Sequence, residues 1–250
     1  KTVIKLTDEI YQKGEKEKNS PQMLKAYAWR MKYREMLNPD SLYAGLKGLE
    51  QWGKQTDQPM DRAILHSLIA GIYANYAANN QWQLRQRTEI VGQTPSADIR
   101  EWTANMFVEK VRTNVKEALA DSVLLLKTSS RDYIPFVELG KTSEYYHHDL
   151  YHLLASRGID ALLQVEKLGS GYTETNAVNP VKQDIIAIYG NMLSAYKAAG
   201  LKEGYVLIAL NYLEWRRGAE RYIRPLQVKG EASVLTDDTY LKALNTLKSK

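Results

Sequence analysis

The sequence predicts an all-α protein, and three observations lead to that prediction. Apolar residues recur at helical spacing along most of the chain, as they do at Met60, Ile64, Leu68, Ile72 and Tyr76. No segment shows the sustained alternation of apolar and polar residues that a half-buried strand requires. Capping residues and glycines divide the periodic segments at intervals suited to helices. The 250 residues, of which 44% are hydrophobic, are sufficient to bury a sizeable core.

Most of the predicted helices carry a start signal or a stop signal. Starts are marked by a capping side chain near a proline suited to the first turn, at Ser20-Pro21, Asn38-Pro39 and Asn179-Pro180. Stops are marked by glycines that can adopt the left-handed conformation, at Gly140, 169–171 and Gly200. We expect helices over 20–37, 40–55, 59–79, 97–125, 146–166, 180–199, 203–222 and 237–248, with shorter pieces at 2–16, 81–90 and 131–139.

The links between these helices predict how the helices pair. Short connections at 37–41 and 199–203 force consecutive helices to lie antiparallel, so the helices form hairpins. Hairpins laid side by side predict an irregular helical-hairpin solenoid that resembles a tetratricopeptide-like superhelix. Residues 1–18 are expected to be a tether or a first helix. Residues 19–250 are expected to form a single helical-repeat domain with a soft joint at 169–179.

Composition and charge exclude several classes of function. The chain has no cysteine, which excludes disulfides, thiolate metal sites and cysteine nucleophiles. No apolar run approaches the roughly 18 residues that span a bilayer, so we expect no membrane-spanning segment. No signal peptide precedes Lys1, so we expect a cytosolic chain or one whose export signal has been removed. The net charge is +5, and the densest basic cluster consists of Arg216, Arg217, Arg221 and Arg224. These arginines do not predict nucleic-acid binding, because cations are favoured at the solvated C-terminal end of a helix.

The stretch YYHHDLYHLLASR at 145–157 raises the question of a metal site. Its H-D-x-x-H pattern from His148 to His152 would place two imidazoles one turn apart on one helix face, as in zinc hydrolases. A zinc site needs three or four ligands, and beyond this stretch the only imidazole is that of His66. Asp149 is one methylene shorter than the glutamate that usually positions water in such enzymes. We therefore expect no metal, no cofactor and no catalytic residue, with a zinc-dependent hydrolase that uses an additional carboxylate as the less favoured alternative.

Aromatic residues are the second candidate for function, since the chain has 17 Tyr and 5 Trp but only 2 Phe. Most of these rings fall on the periodic apolar stripes, which favours a role in core packing. Tyr145, Tyr146, Tyr172 and Trp82 lie nearer helix ends and are the candidates for an exposed binding surface. Ser170 lies in GSGY at 169–172, which lacks both the lysine of a phosphate-binding loop and the elbow of a serine hydrolase.

Four motifs occur in an order that resembles a known family. The first, ILHSLIAGIYANYAANNQWQLRQRTE at 64–89, is a buried helix that leads to the pair Arg87-Thr88. The other motifs are Asp98, Ile99 and Trp102; then Leu150, Tyr151, Leu154, Ala155, Arg157 and Asp160; and finally LIALNYLEWRRGA at 207–219. This order is similar to the helical N-terminal region of bacterial alpha-2-macroglobulin-like proteins, and it covers most of the chain.

The resemblance implies a cell-envelope protein, often exported as a lipoprotein, whose later domains carry a bait segment that traps proteases. This chain has no β-sandwich pattern, no bait segment and no cysteine for a thioester. We therefore expect a non-catalytic helical interaction or spacer module of such a protease-inhibitor-family protein, in the periplasm or cell envelope. Its expected partners are other domains of the same parent protein and proteins or proteases of the envelope. The main alternative is a free-standing tetratricopeptide-like module that binds a peptide or a glycan.

Overall fold

A computed structural model of the protein describes residues 2–88, 96–138, 140, 143–168, 179–221 and 237–248. The regular elements of these residues are helices, and no strand is found among them, so the all-α prediction is confirmed. The α-helices are α1 (Thr2–Lys16), α2 (Ser20–Leu37), α3 (Ser41–Gln55), α4 (Pro59–Asn79), α5 (Gln81–Arg85), α6 (Ala104–Ala118), α7 (Ser122–Lys127), α8 (Leu150–Val165), α9 (Pro180–Ala199), α10 (Lys202–Arg221) and α11 (Asp237–Lys248). Short 3-10 turns cover Ile99–Glu101, Ser130–Tyr133 and Ser143–Tyr145.

Local capping signals explain several of these boundaries. The side chain of Asn19 accepts a hydrogen bond from the backbone N–H of Gln22 and starts α2. Asn179 caps α9 in the same way, and Gly200 ends that helix in the left-handed conformation with φ of 72°. The predicted bounds 20–37, 59–79, 180–199 and 237–248 agree with those of α2, α4, α9 and α11.

Several predicted helices are wrong in their extent. The predicted helix 97–125 consists instead of the 3-10 turn Ile99–Glu101, α6 and α7. Asp121 causes the break, because its side chain accepts a hydrogen bond from the N–H of Leu124 at 3.0 Å and starts a new helix. The predicted helix 146–166 begins only at Leu150, for a similar reason given below. The shorter prediction 131–139 is a single 3-10 turn, Ser130–Tyr133.

The chain divides into two compact units. The first unit comprises residues 1–141 and 148–172, and the second comprises residues 142–147 and 173–250. The predicted soft joint at 169–179 lies, apart from Asn179, outside the described residues. The single-domain organisation predicted for 19–250 therefore stays a prediction, while residues 2–16 form a first helix.

The core of the first unit surrounds α4, which contacts α3, α6 and α8. These helices bury side chains of less than 3% exposure, among them Leu65, Ile69, Tyr73, Phe107, Val111, Leu154 and Leu162. Helix α1 packs along α2, and α2 contacts α3. Helix α1 therefore lies at the edge of the series α1, α2, α3 and α4.

The second unit packs α9 against α10 and α10 against α11. Its buried side chains include Ile185, Met192, Tyr196 and Ile208. The rings of Tyr189 and Tyr212 lie 5.1 Å apart and add an aromatic contact between α9 and α10. Among the helices described in both units, none combines the length and apolarity needed to cross a membrane.

Candidate functional site

The H-D-x-x-H pattern marks the start of a helix. Asp149 precedes α8 with extended backbone angles, and its carboxylate accepts a hydrogen bond from the N–H of His152 at 2.7 Å. His148 lies before the helix, where its carbonyl accepts hydrogen bonds from the backbone N–H and the hydroxyl of Ser130. The expectation that both imidazoles lie on one helix face is therefore wrong, because the capping aspartate sets the start of the helix between them.

The other histidines are engaged in packing contacts. Nδ1 of His66 on α4 lies 2.8 Å from Oδ1 of Asn114 on α6. In the second unit, the ring of His147 meets the ring of Tyr196 edge to face at 5.0 Å, and its backbone N–H donates to the tyrosine hydroxyl. Within the described ranges, no group of three or more His, Cys, Asp or Glu side chains is arranged to hold a metal ion.

The motifs at 64–89 and 98–102 meet in a cluster beside α4. Tyr73 stacks on Trp102 with ring centroids 5.3 Å apart and an interplanar angle of 9°. Arg87 donates a hydrogen bond of 2.6 Å to the carbonyl of Trp102, whose indole N–H donates to the carbonyl of Ser96 at 2.7 Å. Asp98 caps the 3-10 turn that leads into this tryptophan. These motif residues therefore fix the segment 96–103 against α4.

A charged network lies next to this cluster. The hydroxyl of Tyr73 donates to Glu50 at 2.9 Å, and the ammonium of Lys110 lies 2.7 Å from the same carboxylate. Burial, together with the negative charge of Glu50, raises the pKa of Tyr73 far above its ordinary value. Nearby, burial and a hydrogen bond with Tyr76 raise the pKa of Tyr43 to about 12. Both phenols are held neutral, a state that suits hydrogen bonding and packing.

A buried carboxylate joins three elements of the first unit. Asp61 on α4 is 5% exposed, and its two oxygens accept hydrogen bonds from the hydroxyls of Tyr133 and Ser20. Burial raises the pKa of Tyr133, and the charge of Asp61 raises it further. Asp61 thus links α4 to α2 and to the 3-10 turn Ser130–Tyr133 through charge-assisted hydrogen bonds.

An exposed apolar groove of about 580 Å³ lies between α1 and α2, and we name it the α1–α2 groove. Its α1 wall includes the apolar side chains of Val3, Leu6 and Ile10, with exposed fractions of 43%, 51% and 47%. Its α2 wall carries Trp29, which is 39% exposed and stacks on Tyr33 with ring centroids 5.6 Å apart. Exposed apolar side chains that adjoin one another mark surfaces for interaction more strongly than single exposed residues do.

The groove exists because the apolar stripe of α1 is wider than α2 can cover. Thr7 and Gly14 on α1 are buried, and a Cβ on Gly14 would lie only 2.9 Å from Cγ of Met23 on α2. The absence of that Cβ permits the close approach of the two helices. The row Val3, Leu6 and Ile10 follows helical spacing on the adjacent face of α1, which stays open.

The charged side chains that line the groove in the described structure are Lys13 and Lys25. Lys13 lies 3.8 Å from Glu17, and Lys25 lies 3.4 Å from Glu138. These pairs are largely exposed and contribute about 1 kcal/mol or less each. The groove is therefore an apolar surface with lysine ammonium groups at its border.

The aromatic residues that the sequence singled out do not form this groove. Trp82 on α5 is 71% exposed and Tyr145 is 47% exposed, whereas Tyr146 is half-buried. Tyr172 lies outside the described residues. Sequence reasoning assigned rings on helical stripes to the core and so missed Trp29 and Tyr33. The available signal was the second apolar row on α1, which had no assigned neighbour.

The predicted basic cluster packs partly on aromatic rings. The guanidinium of Arg216 lies 5.7 Å from the ring centroid of Tyr212, and that of Arg217 lies 4.7 Å from the ring centroid of Tyr240. Arg221 is the last residue of α10, and Arg224 lies outside the described residues.

Comparisons of the chain with protein-family models, with curated proteins and with solved structures each found no match.

Proposed function

We propose that this chain is a non-catalytic helical interaction or spacer module of a cell-envelope, alpha-2-macroglobulin-like protein, and that the α1–α2 groove is its docking surface. The observation that carries the proposal is the row of exposed apolar side chains on α1 opposite the stacked pair Trp29 and Tyr33. Tryptophan and tyrosine are common anchors of protein interfaces, because each presents a large apolar area together with a polar group. The family assignment rests on the motif order alone.

The occupant that fits the groove is an acidic, amphipathic helical segment from another domain of the same parent protein. The volume of about 580 Å³ can accept a few large apolar side chains. Side chains at i, i+3 and i+7 of a bound helix would lie along the row Val3, Leu6 and Ile10. Acidic residues at the edges of that segment would meet Lys13 and Lys25, whose present ion pairs are weak enough to exchange.

The order of helix contacts supports the finer prediction of an irregular helical-hairpin solenoid of tetratricopeptide-like type. Helix α1 contacts α2, α2 contacts α3, and α3 contacts α4, as consecutive helices do in such repeats. The motif residues Trp102 and Arg87 also have a packing role, which suits a helical module whose motifs specify its fold. Location in the periplasm or cell envelope follows from the resemblance and remains part of the proposal.

The groove can be tested with two designed amphipathic helical peptides of the same apolar pattern, one with glutamate and one with lysine on the polar edges. Calorimetric titration of the intact chain should show binding of the acidic peptide and much weaker binding of the basic one. Trp29→Ala should weaken the acidic peptide about 10-fold or more, because buried interface tryptophans carry much of the binding energy. Trp82→Ala removes another exposed tryptophan outside the groove and serves as the matched control. The proposed surface would be refuted if the acidic peptide bound equally well to the Trp29→Ala and Trp82→Ala variants, or if the acidic and basic peptides bound the wild type equally well.

The identity of the occupant needs a second experiment in the native protein. A photoreactive amino acid at position 6 should cross-link the groove to an acidic segment of the same parent chain, and the same label at position 82 should not. Cross-links that join only two copies of this region would instead show an interface between copies. A free-standing chain that cross-links to peptide or glycan ligands would favour the alternative binding module.

A further inference from the structure

A second cavity lies within the first unit, between α4, α8 and the residues that follow Pro135. Its volume is about 240 Å³, and we name it the Ser67 pocket. Leu68 from α4, Leu153 from α8 and Phe136 contribute to its apolar wall, and Ser67, Glu138 and Arg157 are its polar lining residues. None of these residues lines the α1–α2 groove. Glu138 is joined to that groove through its ion pair with Lys25, so the tests below change only Ser67 and Arg157 among the lining residues.

The hydroxyl of Ser67 is the first observation that points to a ligand. Ser67 is 6% exposed, and its Oγ has no hydrogen-bond partner among the described residues. Buried hydroxyls in proteins are nearly always paired, and a serine within a helix often donates to the carbonyl four residues earlier. An unpaired one costs free energy that a ligand atom in the pocket would recover.

The charge of the pocket is the second observation. The guanidinium of Arg157 lies with its Nη2 3.8 Å from the position that a Cβ on Gly71 would occupy. The charge of Asp160, three residues later on α8, acts on Arg157, but the two side chains form no salt bridge within 4.0 Å. The negative charge of Glu138 is offset by Lys25, whose ammonium lies 3.4 Å away. Arg157 is thus the cationic group of the pocket lining, and it forms no contact ion pair among the described residues, which favours a ligand that carries a negative charge.

Volume limits the size of that ligand. At about 30 Å³ for each water molecule in the liquid, the pocket corresponds to on the order of eight water molecules. A ligand of about eight non-hydrogen atoms fits this space, and the apolar wall favours a hydrocarbon chain. We propose that the Ser67 pocket binds a short aliphatic monocarboxylate. Its carboxylate meets the guanidinium of Arg157 and accepts a hydrogen bond from Ser67, while its chain packs against α4 and α8.

The test uses hexanoate as the probe, with hexanol and hexylamine as neutral and cationic analogues of the same length. Hexanoate titrated into the intact chain should perturb NMR signals of the pocket residues at lower concentration than hexanol, and hexylamine should bind least. Arg157→Gln should weaken hexanoate about 10-fold and leave hexanol unchanged, since the lost interaction is charge-assisted. Arg85→Gln removes an exposed arginine of α5 that does not line the pocket and is the matched control.

Ser67→Ala supplies the second variant and a readout of the unpaired hydroxyl. It should weaken hexanoate several-fold while leaving the thermal stability of the ligand-free protein unchanged or slightly higher, because no hydrogen bond is lost. A marked fall in ligand-free stability would show that the hydroxyl is paired and would overturn the inference. Equal affinity for hexanoate and hexanol, equal effects of Arg157→Gln and Arg85→Gln, or no binding of hexanoate would overturn it as well.

Discussion

Replacing Tyr133 with phenylalanine is expected to lower the free energy of unfolding of the first unit by about 1.5 to 3 kcal/mol. The hydroxyl of Tyr133 donates to a carboxylate oxygen of Asp61 at 2.9 Å, and these residues are 8% and 5% exposed. The substitution removes the donor without changing the shape of the ring. The carboxylate oxygen then remains buried without that partner, and hydrogen bonds to charged groups lie at the upper end of the usual range. Ser20 still donates to the other oxygen, which limits the loss.

Urea unfolding followed by far-ultraviolet circular dichroism measures this loss. For a chain of this length, 1 kcal/mol shifts the melting temperature by about 2 to 4 °C, so Tyr133→Phe should lower it by about 3 to 12 °C. Tyr33→Phe makes the same chemical change at a half-buried position of the same unit and should stay within about 0.5 kcal/mol of the wild type. Combining Tyr133→Phe with Asp61→Asn should give less than the sum of the single effects. A wild-type stability for Tyr133→Phe, or strict additivity of the pair, would refute this account of the network.

A helix cap and a buried phenol give two more predictions. Asp149→Ala removes the acceptor for the first turn of α8 and should cost about 1 kcal/mol in urea unfolding, whereas Asp149→Asn should retain much of the cap. Equal losses of stability in Asp149→Ala and Asp149→Asn would show that the carboxylate stabilises the protein by something other than capping the helix. Folding raises the pKa of Tyr73 above its unfolded value of about 10, so folding favours the neutral phenol. The stabilisation that results from this pKa shift is present below about pH 10 and is lost as the pH rises further. The free energy of unfolding should therefore fall less steeply above pH 10 in Tyr73→Phe than in the wild type. Parallel stability curves of the two proteins would contradict the prediction.

Much of the helical framework could be predicted from the sequence, because its boundaries carry strong local signals. Proline near the first turn and a side-chain cap locate the start of α9, and Gly200 in the left-handed conformation locates its end. The apolar repeat of α4 was also sufficient to predict that helix and its burial, because neighbouring helices cover it on several sides. In α4 and α9, the local sequence signals and the packing against neighbouring helices favour the same helix.

The breaks at Asp121 and Asp149 could not be predicted from periodicity. Both aspartates cap a new helix, but neither is accompanied by a proline at the helix start. Helices α6 and α7 each bury apolar residues, so the apolar pattern continues across the break at Asp121. The tyrosines and histidines at 145–148, just before Asp149, have a spacing that is compatible with an amphipathic helix. In the structure, Ser130 donates two hydrogen bonds to the carbonyl of His148, which therefore lies outside α8.

The candidate surfaces were less predictable, because exposure depends on which helix covers which face. Trp29 lies on a helix whose neighbouring residues Leu24 and Tyr27 are buried, and no local feature separates it from them. Only the position of α1 along α2 decides that Trp29 stays open. The Ser67 pocket depends likewise on the packing of α4 against α8, which brings Ser67 and Arg157 together from distant parts of the chain.

The residues that carry the family resemblance and those that form the α1–α2 groove are different sets with different consequences. Trp102, Leu150 and Leu154 are motif residues with exposures of 8%, 0% and 2%, so they can specify the fold but cannot contact a partner. Leu6 lies outside every motif and is 51% exposed, so a change there removes little buried area. A chain with the same motifs and a polar residue at position 6 would therefore keep this fold and lose the proposed docking surface. The buried motif residues therefore contribute to the packing of the helices, and the row on α1 forms the surface at which we propose that a partner docks.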